Sequence, residues 1–150
     1  MLTIAAIVSI VAVINAVLPS VSRTSGALVS ASGVVQDRIS SQIDVIHATG
    51  QNANADADVW VKNIGASTIE PMNRVDVFFG ASDSFQRIPQ GTAGCTAPCW
   101  EYTFENSTVW EPTATIHIKV HAASSLATGT TYYIKVVTPN GITDSKFFTV

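Results

Sequence analysis

His117 and His121 stand four residues apart in Thr115-Ile-His-Ile-Lys-Val-His121, and the alternation with Ile116, Ile118 and Val120 puts both imidazoles on the outer face of one strand. Such a pair can hold a metal ion when a third ligand arrives from elsewhere. No Cys or carboxylate stands in an obvious partnering pattern, so two solvated histidines are the favoured reading. Asn52, Asn54, Asp56 and Asp58 also alternate, and an extended backbone would line up four oxygen-bearing side chains of the kind Ca²⁺ takes. The stretch lacks the Gly and closing Glu of an EF-hand loop, and a polar linker accounts for it equally well. Cys95 and Cys99, the only cysteines, can close a small disulfide in an oxidising compartment or stay as free thiols. Zinc is disfavoured, because the common paired-Cys motifs use shorter spacings and only three His are present to complete a set of four ligands. Asn106-Ser107-Thr108 matches the N-glycosylation pattern within a polar stretch, which makes Asn106 a candidate glycan acceptor.

The sequence contains no G-x-S-x-G, G-x-x-x-x-G-K or H-E-x-x-H pattern, and with 13% charged residues it has few ionisable side chains to tune. An enzyme is not expected, and neither is a cofactor. Eight Lys and Arg in 150 residues, at a net charge of −3, cannot neutralise many phosphates, so nucleic acid is excluded as a partner.

The elements that would position these residues fall into two parts, 1–50 and 51–150. Residues 1–18 hold eleven Met, Leu, Ile or Val and four Ala, interrupted only by Thr3, Ser9 and Asn15. At about 100° per residue those three polar side chains spread around a helix and leave no face for water. The 22 uncharged residues before Arg23 would reach about 33 Å, enough for the roughly 30 Å apolar core of a bilayer. Leu2, Ile4, Ile7, Val8, Ile10, Val11, Ile14, Val17 and Leu18 are therefore the candidate membrane or bundle-core residues, with a kink expected at Pro19. A secretory signal fits poorly, for want of a basic leading region. Beyond Pro19, Leu28, Ala31, Val35, Ile39, Ile43 and Ile46 follow steps of 3, 4, 4, 4 and 3, which predicts an amphipathic continuation of the helix stopping at Gly50.

After Gly50 the period becomes two. Strands are expected near 55–63, 67–71, 74–80, 99–105, 114–121, 131–138 and 142–150, with Asn140-Gly141 as a hairpin signal. Seven short strands separated by turn signals predict an antiparallel, immunoglobulin-like β-sandwich. The predicted fold class is accordingly α+β, a long N-terminal helix followed by the sandwich.

This plan resembles the archaeal flagellins (archaellins) and the archaellum F and G proteins, and the type IV pilin superfamily shares its N-terminal half. Val59-Trp-Val-Lys-Asn-Ile-Gly-Ala-Ser-Thr-Ile69 is similar to a strand-Asn-Thr-Gly-Ser-Thr-Thr-Leu stretch of the F and G branch. Trp110-Glu-Pro112 and Tyr133-Ile-Lys-Val-Val-Thr-Pro-Asn-Gly-Ile142 resemble its later segments. Ala5 occupies the position where many bacterial pilins carry Glu. The resemblance implies a structural subunit of an extracellular motility filament. Its helix would sit in the cytoplasmic membrane before assembly and in the filament core afterwards, with the sandwich outside. Identical copies and the motor and platform proteins would be its partners. The alternative it implies is a membrane-anchored accessory protein whose sandwich binds a cell-envelope protein as stator or anchor.

Overall fold

The computed structural model describes residues 33, 35, 36 and 40–150. The chain divides into two compact units, Met1–Gln36 and Asp37–Val150. The second contains four β-hairpins: β1 (Ile43–Gly50) with β2 (Asp56–Asn63), β3 (Asp76–Ala81) with β4 (Ser84–Ile88), β5 (Cys99–Phe104) with β6 (Thr115–His121), and β7 (Thr131–Val137) with β8 (Thr143–Thr149). Successive hairpins alternate between two sheets, β1-β2-β6-β5 and β4-β3-β7-β8, and every strand pair is antiparallel. The pairs β2–β6 and β3–β7 join the hairpins into sheets.

Alternation builds the core. Ala57, Val59 and Val61 of β2 face inward with Ile116, Ile118 and Val120 of β6, against Val77 and Phe79 of β3 and Ile134 and Val136 of β7. Trp100 and Trp110 fill the space beside them. Burying one such aliphatic side chain is worth about 1.5–3 kcal/mol.

The fold class expected from the sequence needs correction. Among the described residues the structure is an antiparallel β-sandwich, and the only α-helical positions are Gly33, Val35, Gln36 and Ser40. Residues 43–50, predicted as the end of the long helix, are strand β1. A β-bulge between Val45 and His47 explains the misreading. It leaves Ile46 unpaired and 43% exposed, so the inward residues are Ile43, Val45 and Ala48. A strand interrupted by one extra residue thus spaces its apolar side chains like a helix. The predicted helix-core residues from Leu2 to Leu18 and the kink at Pro19 lie outside the described residues. Among the described residues no helix is long and apolar enough to cross a membrane.

Two further strand expectations change. Residues 67–71 form a loop, which closes with a 3-10 turn at Met72–Arg74. Asn63, fully buried at the end of β2, sets its course: Nδ2 donates to the carbonyls of Ser67 (2.9 Å) and Trp110 (3.0 Å), and Oδ1 accepts from Gly65 N–H (3.0 Å). Gly65 has to be glycine there, because a Cβ would meet Gln42 N and Ser40 O at 2.5 Å. Strand β4 was not expected at all. It returns from β3 through Ser82-Asp83, a two-residue turn without the Asn-Gly signature.

Candidate functional site

The outer face of the first sheet gathers its ionisable side chains. The register places Asp56 opposite His121, Asp58 opposite Lys119 and Trp60 opposite His117, so period-two alternation on β2 and β6 puts all six on one face. His117 Nε2 donates to Asp58 Oδ1 at 2.8 Å, and His121 Nδ1 donates to Asp56 Oδ1, also at 2.8 Å. The Lys119 ammonium lies 3.3 Å from Asp56 Oδ2. Burial would raise the Asp56 carboxyl, but the hydrogen bonds from His121 and Lys119, with the ammonium charge of Lys119, outweigh it and hold the group below its ordinary 3.8.

Trp60 lies between two imidazoles. The His117 ring stacks on it at 4.5 Å with an interplanar angle of 8°, and His47 of β1 lies 5.4 Å away, tilted by 40°. Its indole Nε1 donates to Glu105 Oε1 at 3.1 Å. At the other end of the face Glu101 of β5 reaches towards His121, with Oε1 3.7 Å from Nε2. The backbone N–H of Gly94 donates to Glu101 Oε2 at 2.7 Å.

Cys95 and Cys99 form a disulfide with S–S 1.95 Å and Cα–Cα 6.3 Å, at the rim of a cleft lined by Gln90, Gly91, Thr92, Glu101 and Tyr102. A Cβ on Gly91 would collide with the Cys95 side chain. Asn106 is exposed, and its Oδ1 accepts the N–H of Thr115 at 2.9 Å.

His117 and His121 therefore share a face, as their spacing indicates, yet each is held by its own carboxylate. Asp56 and Asp58 are those carboxylates. Asn52 lies in a turn before β2 and Ala53 has φ 60°, so the four alternating residues form no extended line of oxygens. The missing signal was cross-strand register. Both alternating runs are visible in the sequence, and their alignment is not.

The second sheet presents a different outer face. Phe85 of β4 and Phe147 of β8 are 48% and 59% exposed and flank Tyr133 of β7, at ring separations of 4.7 and 4.8 Å. Gly80 of β3 lies between Phe85 and Tyr133 in register, so the row runs across the sheet. Beside it Arg87 and Asp76 form an ion pair at 2.6 Å.

A sandwich with one charged face and one aromatic face is suited to contact with other proteins. The model of the archaeal-type flagellin family matches residues 1–147. The chain belongs to that family. It is a structural family of archaellum flagellin and stator proteins, not an enzymatic one. Solved structures similar to this chain include the following. The archaellum periplasmic stator protein FlaG from Sulfolobus acidocaldarius is 28% identical, with 72% of this chain and 99% of that one covered and a TM-score of 0.62. The complex of stator proteins FlaF and FlaG from the same organism gives 27% identity, 71% and 88% coverage and a TM-score of 0.62. The archaeal flagellum of Methanospirillum hungatei strain JF1 gives 13% identity, 99% and 90% coverage and a TM-score of 0.67, a likeness of fold alone.

Proposed function

We propose that this chain is a structural, non-catalytic component of an archaellum, acting at the cell surface as a stator-type module whose sandwich holds partner proteins. The observation that carries the reading is the identity of 28% with a periplasmic stator protein over nearly all of that protein, against 13% with a filament. The two chemically distinct outer faces support it, since they offer separate surfaces to separate partners. The apolar residues 1–18 would attach the chain to the membrane, and a cell-envelope protein would be the outer partner.

A second reading, the repeating subunit of the filament itself, draws on the flagellum likeness that takes in 99% of this chain. Copy number separates the two. Quantitative mass spectrometry of native archaella, with their membrane attachment retained, is expected to find a few copies of this chain per filament. Thousands of copies would discard the stator role in favour of the filament subunit.

A further inference from the structure

His121 carries an unresolved conflict on the first sheet's outer face. Its Nδ1 bonds to Asp56 Oδ1 at 2.8 Å, and an ionised carboxylate there takes the ring proton on that nitrogen. In the neutral imidazole Nε2 then bears a bare lone pair. Nε2 is buried without a hydrogen-bond partner, one of two such side-chain atoms among the described residues, the other being Trp110 Nε1. What it faces is Glu101 Oε1, at 3.7 Å. Two acceptors in that position repel unless a cation lies between them, and the cation is either a proton or a metal ion.

The third neighbour favours a metal. Ligand atoms of Cys95, Glu101 and His121 all lie within 4.8 Å of one another. A tetrahedral ion with bonds of about 2.3 Å to sulfur and about 2.0–2.2 Å to nitrogen and oxygen needs those atoms roughly 3.3–3.7 Å apart, so the three side chains would have to draw in around it by up to about an ångström. Asp56 behind His121 completes a carboxylate–histidine arrangement that fixes the tautomer and the ring. Glu101 Oε2 is occupied by the Gly94 N–H, which leaves Oε1 to ligate. Lys119, opposite Glu101 in register, is paired with Asp56 Oδ2.

We propose that Cys95, Glu101 and His121 form a redox-gated site for a soft divalent ion such as Zn²⁺, available when the Cys95–Cys99 disulfide is open and abolished when it closes. A disulfide sulfur is no thiolate, so the closed form keeps only two of the three ligands. Opening takes two electrons and two protons from a dithiol reductant, which leaves as its own disulfide while Cys95 and Cys99 become thiols. The Cys95 thiol then loses its proton as its sulfur binds the ion. The metal would tie the 91–99 segment to β6 in place of the covalent link.

The test uses the detergent-solubilised full chain. Zinc is titrated against a competing chelator into the oxidised chain, the phosphine-reduced chain and Cys99→Ser, which frees the Cys95 thiol without reductant. Cobalt(II) reports thiolate ligation through its sulfur-to-metal charge-transfer absorption. The reduced chain and Cys99→Ser are expected to bind one zinc per chain, at least about tenfold more tightly than the oxidised chain. His121→Gln or Glu101→Gln should abolish that gain, whereas His47→Gln and His117→Gln should leave it. If Cys99→Ser does not fold, the comparison stands on the reduced chain with and without His121→Gln. Equal affinity in both redox states, or tight binding that survives His121→Gln, would overturn the proposal. So would a reduced chain that binds no zinc, since the cation between His121 and Glu101 is then a proton.

Discussion

At the scale of the residue, the side chains that matter most are polar ones inside or against the core. Asn63 is worth more than its size suggests, because its three hydrogen bonds serve the 64–69 loop and the Trp110 segment together. It stands within the Val59–Ile69 stretch that carried the family resemblance, and its burial gives that stretch a physical role. Asp56 makes a prediction about pH. Its folded value lies below 3.8, so the stabilisation it contributes is present above the unfolded value and is lost as pH falls through the folded one. Acid unfolding of the wild type should therefore contain a limb below 3.8 that Asp56→Asn lacks. Parallel urea titrations at a series of pH values measure it, and a variant whose acid limb matches the wild type would refute the assignment.

At the scale of the element, β1 shows how a strand is recruited. The sheet edge opposite β2 is held at the bulge by side chains of β8. Asp144 Oδ2 accepts the Val45 N–H at 2.6 Å, and the Lys146 ammonium donates to the carbonyls of Val45 (3.1 Å) and Ile46 (2.9 Å). These bonds join β1, the edge strand of one sheet, to β8, the edge strand of the other. Asp144→Ala should strand the Val45 N–H, destabilise the domain by about 1–3 kcal/mol and speed amide exchange at Val45. Amide exchange at Val59 in the centre of the sheet should accelerate only as far as global stability falls. A Val45 amide exchanging as slowly as in the wild type would show that β1 is held by other means.

At the scale of the whole molecule, the hairpins alternate between sheets, so neither sheet can form its inner face without the other. Ile134, fully buried on β7, packs in the same core as Val59 and Ile118 of the opposite sheet. Ile134→Ala should cost about 2–5 kcal/mol, and Trp60 fluorescence on one sheet should report the same unfolding midpoint as amide protection on β7 in the other. Separate midpoints would mean that the sheets unfold independently. One cooperative scaffold carrying a charged face and an aromatic face on its opposite sides also fits a module that is gripped from two directions.

Local alternation was enough for five of the eight strands: β2, β3, β5, β6 and β7 each carry an uninterrupted period-two run or an apolar run between turn signals. The Asn-Gly turn was equally legible, and with it the eighth strand. The family resemblance could be read too, because it lies in short contiguous wording. Strand β1 could not be read, since its bulge imitates helical spacing and its partners, Asp144 and Lys146, lie about a hundred residues away. Nor could the pairing of His117 with Asp58 and His121 with Asp56, or the approach of Glu101 and Cys95 to the free nitrogen of His121. The chain's own order specifies which residues share a strand face. Which faces meet, and in what register, is settled only when the two sheets exclude water between them and every strand must satisfy its backbone bonds at once.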